Sequence, residues 1–162
     1  MSSSNTDYAE LQRSLRALLE GETDLIANAA NTAALIYHAL PEVNWAGFYL
    51  MRAGELVVGP FQGQPACVRI AVGDGEGVCG TAAARRETIV VPDVHAFPGH
   101  IVCDSASRSE IVVPLIGRTG GTSADALIGV LDIDSPRLDR FSPADRQGIE
   151  ALARIFVESL GG

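Results

Sequence analysis

The sequence predicts an α+β domain, with a mainly antiparallel sheet of about six strands and long helices packed on one face. Three observations point there. Leucines recur at helical spacing near the N-terminus. Short apolar runs separated by glycine- and proline-rich breaks fill the middle. A segment with a strong helix start closes the chain. At 162 residues and 47% hydrophobic composition, the chain is long enough to bury one core without staples. The whole of 1–162 is therefore expected to form a single domain, its first ten residues partly disordered.

Taken in order, "YAELQRSLRALLEG" carries Leu11, Leu15, Leu18 and Leu19 at helical spacing, and Gly21 supplies a C-terminal stop. "ETDLIANAANTAALIYHALP" is a second helix, capped by Thr23 or Asp24 and ended by Pro41. "NWAGFYLM" and "ELVVGPF" flank the short turn "RAG" and read as a hairpin. "ACVRIAV" is a third strand, "GVCGTAAARRE" a short helix entered from a glycine loop, and "TIVVPDV" a fourth strand. "HAFPGHIVCDSASR" reads mostly as loop. "SEIVVPLI" and "ALIGVLDID" are two more strands, joined by "GRTGGTSAD". In "FSPADRQGIEALARIFVESL", Ser142 is the N-cap, with Pro143 at N1 and Asp145 at N3.

Composition excludes several partners. The formal charge of −8, with no basic stripe, argues against nucleic acid. No run approaches the ~18 apolar residues of a membrane span. The start "MSSSNTDYAE" lacks the basic and apolar regions of a signal peptide, so the cytosol is the expected compartment. Three cysteines in a reducing compartment do not make a structural disulfide framework.

Strand alternation sorts the side chains, because residues two apart share a face. Leu131 and Ile133 oppose Asp132 and Asp134. Ile111, Val113 and Leu115 oppose Glu110, Val112 and Pro114. Ala46, Phe48 and Leu50 oppose Trp45 and Tyr49. In the third strand Ala66, Val68 and Ile70 oppose Cys67 and Arg69. The apolar sets suit the helix-covered face. What remains on the other face is Trp45, Tyr49, Cys67, Glu110, Asp132 and Asp134: an aromatic wall, a thiol and three carboxylates. Asp134, before "SP", also fits an ordinary turn aspartate, and Trp45 and Tyr49 fit ordinary core positions. Carboxyls clustered under a loop cover should have raised pKa values, and one could hold a proton for acid catalysis.

The thiols admit several chemistries. Each cysteine could be inert packing. Cys67, Cys79, His95, His100 and Cys103 contain no CxxC pair, so a zinc site is poorly supported and no metal is expected. A redox pair needs one thiol to become a sulfenic acid and a second to close a disulfide on it, and loops beside glycines give the freedom to do so. Cys79, near a helix N-terminus, is expected to have a lowered pKa. Cys103 has Asp104 beside it, which raises its pKa, with His100 and Arg108 as offsets. Electrostatics alone leaves the choice of nucleophile open.

Together "NWAGFYL", "GPFQGQPACVRI", "GVCGTA", "DVHAFPGHIVCDSASRSEIVVPL" and "IGVLDIDS" resemble the free methionine-(R)-sulfoxide reductases, single-domain GAF-fold enzymes, over about residues 44–147. The resemblance implies a cofactor-free oxidoreductase acting on free methionine-(R)-sulfoxide, recycled by thioredoxin, and a homodimer through the terminal helices. It implies Cys103 as the attacking thiol, Cys67 as the main resolving thiol and Cys79 as an auxiliary. It also implies that Trp45 and Tyr49 hold the methionine side chain, while Glu110, Asp132 and Asp134 are the pocket acids. Two departures stand out. "VGDGEGVCG" is about two residues longer than the family's usual glycine turn, and "GRTGGTSADA" is long for a connection between the last strands. A GAF sensor module binding a nucleotide or chromophore is the rival reading, supported by fold alone.

Overall fold

The computed structural model describes residues 5–103, 105–118 and 125–161. Its elements are α1 (Tyr8–Leu19), α2 (Leu25–Ala39), β1 (Trp45–Arg52), β2 (Glu55–Gly63), β3 (Arg69–Ile70), α3 (Gly77–Arg85), β4 (Ile89–Val91), β5 (Ser109–Gly117), β6 (Ala126–Ser135) and α4 (Pro143–Ser159). The fourth strand ends at Val91, short of the expected Val94, and a 3-10 turn at Val94–Ala96 spans its expected end and the start of the stretch expected to be loop. Helix α1 begins inside the stretch expected to be partly disordered; residues 1–4 lie outside the described residues, as does most of the "GRTGGTSAD" connection.

Side-chain caps set the helix starts. Asp7 accepts from the Glu10 N–H, Asp24 from the Ala27 N–H, and Ser142 with Asp145 forms a full capping box ahead of Pro143. The first hairpin turns on Ala53 and Gly54, both with positive φ (52° and 84°), the pattern of a two-residue turn whose twist matches the strands.

The six strands form one sheet in the order β3-β2-β1-β6-β5-β4, with every pairing antiparallel. One face carries the main core: Ala46, Phe48, Leu50, Ile111, Val113, Leu115, Leu131 and Ile133 pack with Leu11 and Leu15 of α1, Ala33 and Ile36 of α2, and Ile149, Leu152 and Phe156 of α4. The other face carries Trp45, Tyr49, Val112 and Val130, covered by Val78, Cys79, Ala82 and Ala83 of α3. The alternation of β1, β5 and β6 therefore sorts residues to the expected faces.

The third strand does not follow it. Only Arg69 and Ile70 are extended, paired with Val57 and Leu56. Ile70, expected on the helix side, is buried in the opposite cluster with Trp45 and Tyr49. Val68 is 59% exposed, and Arg69 reaches out to Glu55 at 2.6 Å. A two-residue edge strand between Pro65 and Gly73 is too short to impose a period of two.

Candidate active site

Register builds the site from the sheet upward. Trp45 on β1 is opposite Asp134 on β6, and Asp134 is opposite Glu110 on β5, so one rung carries an indole and two carboxyls. The next same-face rung sets Gly47 opposite Asp132 and Asp132 opposite Val112. A third carries Tyr49 opposite Val130. Gly47 is required here. A Cβ at that position would stand 2.2 Å from Phe61 Cβ and 2.9 Å from the Trp45 ring, so a side chain would push the aromatic wall apart.

That wall is a stack. The Trp45 ring lies 5.1 Å from Phe61 and 5.8 Å from Tyr49, nearly parallel to both. Trp45 Nε1 donates to the Gln64 carbonyl at 3.0 Å, which fixes the indole edge. Tyr49 Oη donates to the Cys67 carbonyl at 3.1 Å, tying the wall to the segment that carries one half of the disulfide. Burial and the nearby Asp132 carboxylate raise the Tyr49 pKa, so this donor keeps its proton.

Cys67 and Cys103 are joined in a disulfide, with an S–S distance of 2.06 Å and a Cα–Cα distance of 5.3 Å. Cys79 is a free, buried thiol on the first turn of α3. Cys79 Sγ and one carboxyl oxygen each of Glu110 and Asp132 lie within 4.8 Å of one another. Cys79 and Cys103 thus stand at the carboxyl cluster, and Cys67 is tied to it through its bond to Cys103. Beneath the bridge lies a hollow of about 40 Å³, lined by Trp45, Tyr49, Cys79, Cys103, Glu110 and both aspartates. It has room for roughly two or three waters.

The electrostatics of the acids are as expected. Burial first, and mutual repulsion second, raise Glu110, Asp132 and Asp134 well above ordinary carboxyl values. The three titrate as a unit, and hydrogen bonds between them require protons on some members. Oδ1 of Asp132 and Oδ1 of Asp134 are buried without a hydrogen-bond partner in the protein.

Cys79 is a correction. Its pKa is raised well above normal, by burial first and then by Asp132, Glu110 and Asp134. A helix terminus offers ~0.3–1 kcal/mol, less than one pKa unit, whereas burial moves a group by up to about 3–5 units. Burial wins, and Cys79 is a protonated thiol at neutral pH. His100, expected as a positive offset for Cys103, has its pKa lowered by burial and by His95, so it is neutral at pH 7. Asp104 lies outside the described residues.

Some site residues escaped the pattern reading. Ser107 is buried and donates through Oγ to Asp134 Oδ2 at 3.4 Å, while accepting from Asn44 Nδ2 at 3.2 Å. It precedes β5, where alternation has no say. Phe61 stacks on Trp45 from β2, and its aromatic character in "GPFQG" was the available signal.

Fold and site together define a GAF-type domain whose sheet supports a disulfide over buried acids and aromatics. The GAF domain family model matches residues 14–160. The chain is 53% identical to free methionine-R-sulfoxide reductase of Escherichia coli over 145 residues, covering 90% of this chain and 83% of that protein. The solved structure of fRMsr of Staphylococcus aureus in complex with substrate superposes with a TM-score of 0.87 at 45% identity, covering 99% and 100% of the two chains. Free methionine-R-sulfoxide reductase of Neisseria meningitidis, also in complex with its substrate, gives 0.85 at 42% identity, with 99% and 92% covered. The chain belongs to the free methionine-R-sulfoxide reductases, an oxidoreductase family within the GAF-domain proteins.

Proposed function

We propose that the protein reduces free L-methionine-(R)-sulfoxide to methionine by thiol chemistry at this hollow. The observation that carries the reading is the Cys67–Cys103 bridge standing over buried, proton-holding carboxyls and a tryptophan wall. In the cycle, the substrate's carbon chain lies against Trp45, with its S-methyl group in the aromatic pocket. Glu110 and Asp134, at least one protonated, hydrogen-bond the sulfoxide oxygen and make its sulfur electrophilic. Their raised pKa values fit that task at neutral pH. Asp132 supports this arrangement or takes the substrate's ammonium.

The Cys103 thiolate attacks the sulfoxide sulfur, methionine departs, and Cys103 is left as a sulfenic acid. The Cys67 thiol then displaces water from it and closes the disulfide. Tyr49, bonded to the Cys67 carbonyl, helps hold that segment in reach. Cys79, protonated and buried, is the auxiliary thiol. The bridged form is the end of the oxidative half, with Cys103 lining the hollow. Thioredoxin supplies two electrons to reopen it. A small hollow walled by loops also favours a free amino acid over one flanked by peptide. A homodimer through the terminal helices belongs to the same reading; Leu18 and Ile26 expose apolar side chains on α1 and α2.

Incubating the protein with each epimer of free and peptide-bound methionine sulfoxide plus a dithiol, and following methionine release, tests the substrate. Turnover is expected with the free R epimer alone. Cys103→Ser should abolish it, and Cys67→Ser should give about one turnover and then stall or fall back on Cys79. Undiminished turnover in Cys103→Ser overturns the assignment.

A further inference from the structure

The described residues expose seven large apolar side chains, and three of them, Val68, Ile101 and Val102, stand within two positions of the bridged cysteines. Val68 is 59% exposed, Val102 62% and Ile101 39%. Single exposed apolar residues are ordinary, but three gathered round one reactive bond are a local surface with a stated neighbour. Arg69, next to Val68, has its charge tied to Glu55 at 2.6 Å.

The two sulfurs are not equivalent. Cys103 lines the inner hollow with Ile101, the carboxyls and the aromatic wall, and Cys67 is absent from that lining. A folded protein dithiol cannot enter a hollow of this kind, so it approaches the bond from the outer side. Cys67 carries that side, with exposed Val68 next to it in the chain and exposed Val102 next to Cys103.

Building on the redox cycle proposed above, we propose that Val68 and Val102 form the docking rim for a protein dithiol whose thiolate attacks Cys67 Sγ and expels Cys103. The partner's sulfur bonds to Cys67 as the S–S bond breaks, and Cys103 leaves as a thiolate above the hollow. The partner's second thiolate then attacks its own bridged sulfur. Cys67 leaves as a thiolate, and the partner carries away the disulfide and the two-electron oxidation. An apolar rim adds affinity only for a partner with apolar surface round its thiol, so a small charged thiol gains nothing from it.

The test compares two reductants in steady-state methionine release, with thioredoxin as the protein dithiol and dithiothreitol as the small one. In the double variant Val68→Ser/Val102→Ser, the KM for thioredoxin should rise roughly tenfold, as for loss of a small interface hot spot. Dithiothreitol-supported turnover should hold at the wild-type rate. An unchanged thioredoxin KM, or an equal loss with both reductants, overturns the proposal. A second measurement uses the oxidised wild-type chain and thioredoxin lacking its second active-site cysteine. Peptide mapping of the trapped mixed disulfide should find it on Cys67, and a trap on Cys103 overturns the direction of attack. If the wild type releases no methionine even with dithiothreitol, the substrate reading fails, and a trap at Cys67 would still support the surface.

Discussion

Glu110, Asp132 and Asp134 are three acids in one dry patch, and each proton they share at pH 7 is one that bulk water would take. Their raised pKa values have a cost in stability. Where the folded protein binds more protons than the unfolded chain, stability falls as pH rises. The loss begins near pH 4, where free carboxyls ionise, and continues upward through the raised folded values. Asp132→Asn keeps the shape and removes one ionisable member. We expect its melting temperature to exceed that of the wild type at pH 8, with the gap narrowing as pH falls towards 4. Reductase turnover should fall in the same variant. Thermal scans across pH 4–8 check this, and a variant less stable than wild type at pH 8 defeats the account. Glu110→Gln should lower kcat/KM roughly 100-fold, the usual scale for a lost general acid. Steady-state kinetics reads this out, and activity within a few-fold of wild type would remove Glu110 from the acid's role.

Among the elements, α4 is held at its N-terminus by a buried junction. Arg140 Nη1 donates to Asp145 Oδ2 at 3.0 Å, and Arg140 Nε donates to the Pro41 carbonyl at the end of α2. Tyr8 Oη, from α1, donates to Asp145 Oδ1 at 2.6 Å. One carboxylate thus ties together three helices that cover the core. Burial pushes the Asp145 pKa up, but the Tyr8 hydroxyl, the Ser142 donors and the Arg140 charge outweigh it and the net pKa is lowered. A depressed pKa stabilises fully above the ordinary aspartate value near 4 and is lost as pH falls through the folded one. Asp145→Asn should therefore cost about 3 kcal/mol at pH 7, because it strands a buried guanidinium, and less at pH 3. Urea unfolding at the two pH values measures it, and an equal cost at both would exclude the ionic explanation. This junction was half legible. "FSPAD" announces the capping box, but nothing local foretells that Tyr8 and Arg140 converge on the same carboxylate. The same divide runs through the site. Alternation placed Trp45, Glu110, Asp132 and Asp134 on one face because β1, β5 and β6 are long and buried on both sides. It failed at β3, where two residues cannot hold a register against a nearby disulfide. The helix-terminus argument failed for the Cys79 pKa, since the thiol's position on its helix is local while the acids that surround it arrive from β5 and β6.

For the molecule as a whole, the disulfide closes a loop with a sequence separation of 36 on the pocket side of the sheet, while the main core lies on the other side. Restricting the unfolded chain over that length is worth about 4 kcal/mol in the chain-entropy account. For a domain of this size, a difference of that order corresponds to a melting shift of about 10 °C. The reduced protein should melt lower by that amount, and Cys67→Ser without reductant should match it. The loss should also be local. Amide exchange is expected to speed up in residues 64–68 and 99–103, which carry the bridged cysteines, and to stay slow in α1 and α4, which are anchored through Tyr8, Arg140 and Asp145. Such a division would let the covering loops open for an amino acid in every cycle while the helix-packed core keeps the domain folded. Calorimetry of both redox forms, followed by exchange mapped by mass spectrometry, decides the matter. A melting shift below about 2 °C, or exchange that quickens evenly across the chain, would mean that the bridge does not govern the pocket side by itself.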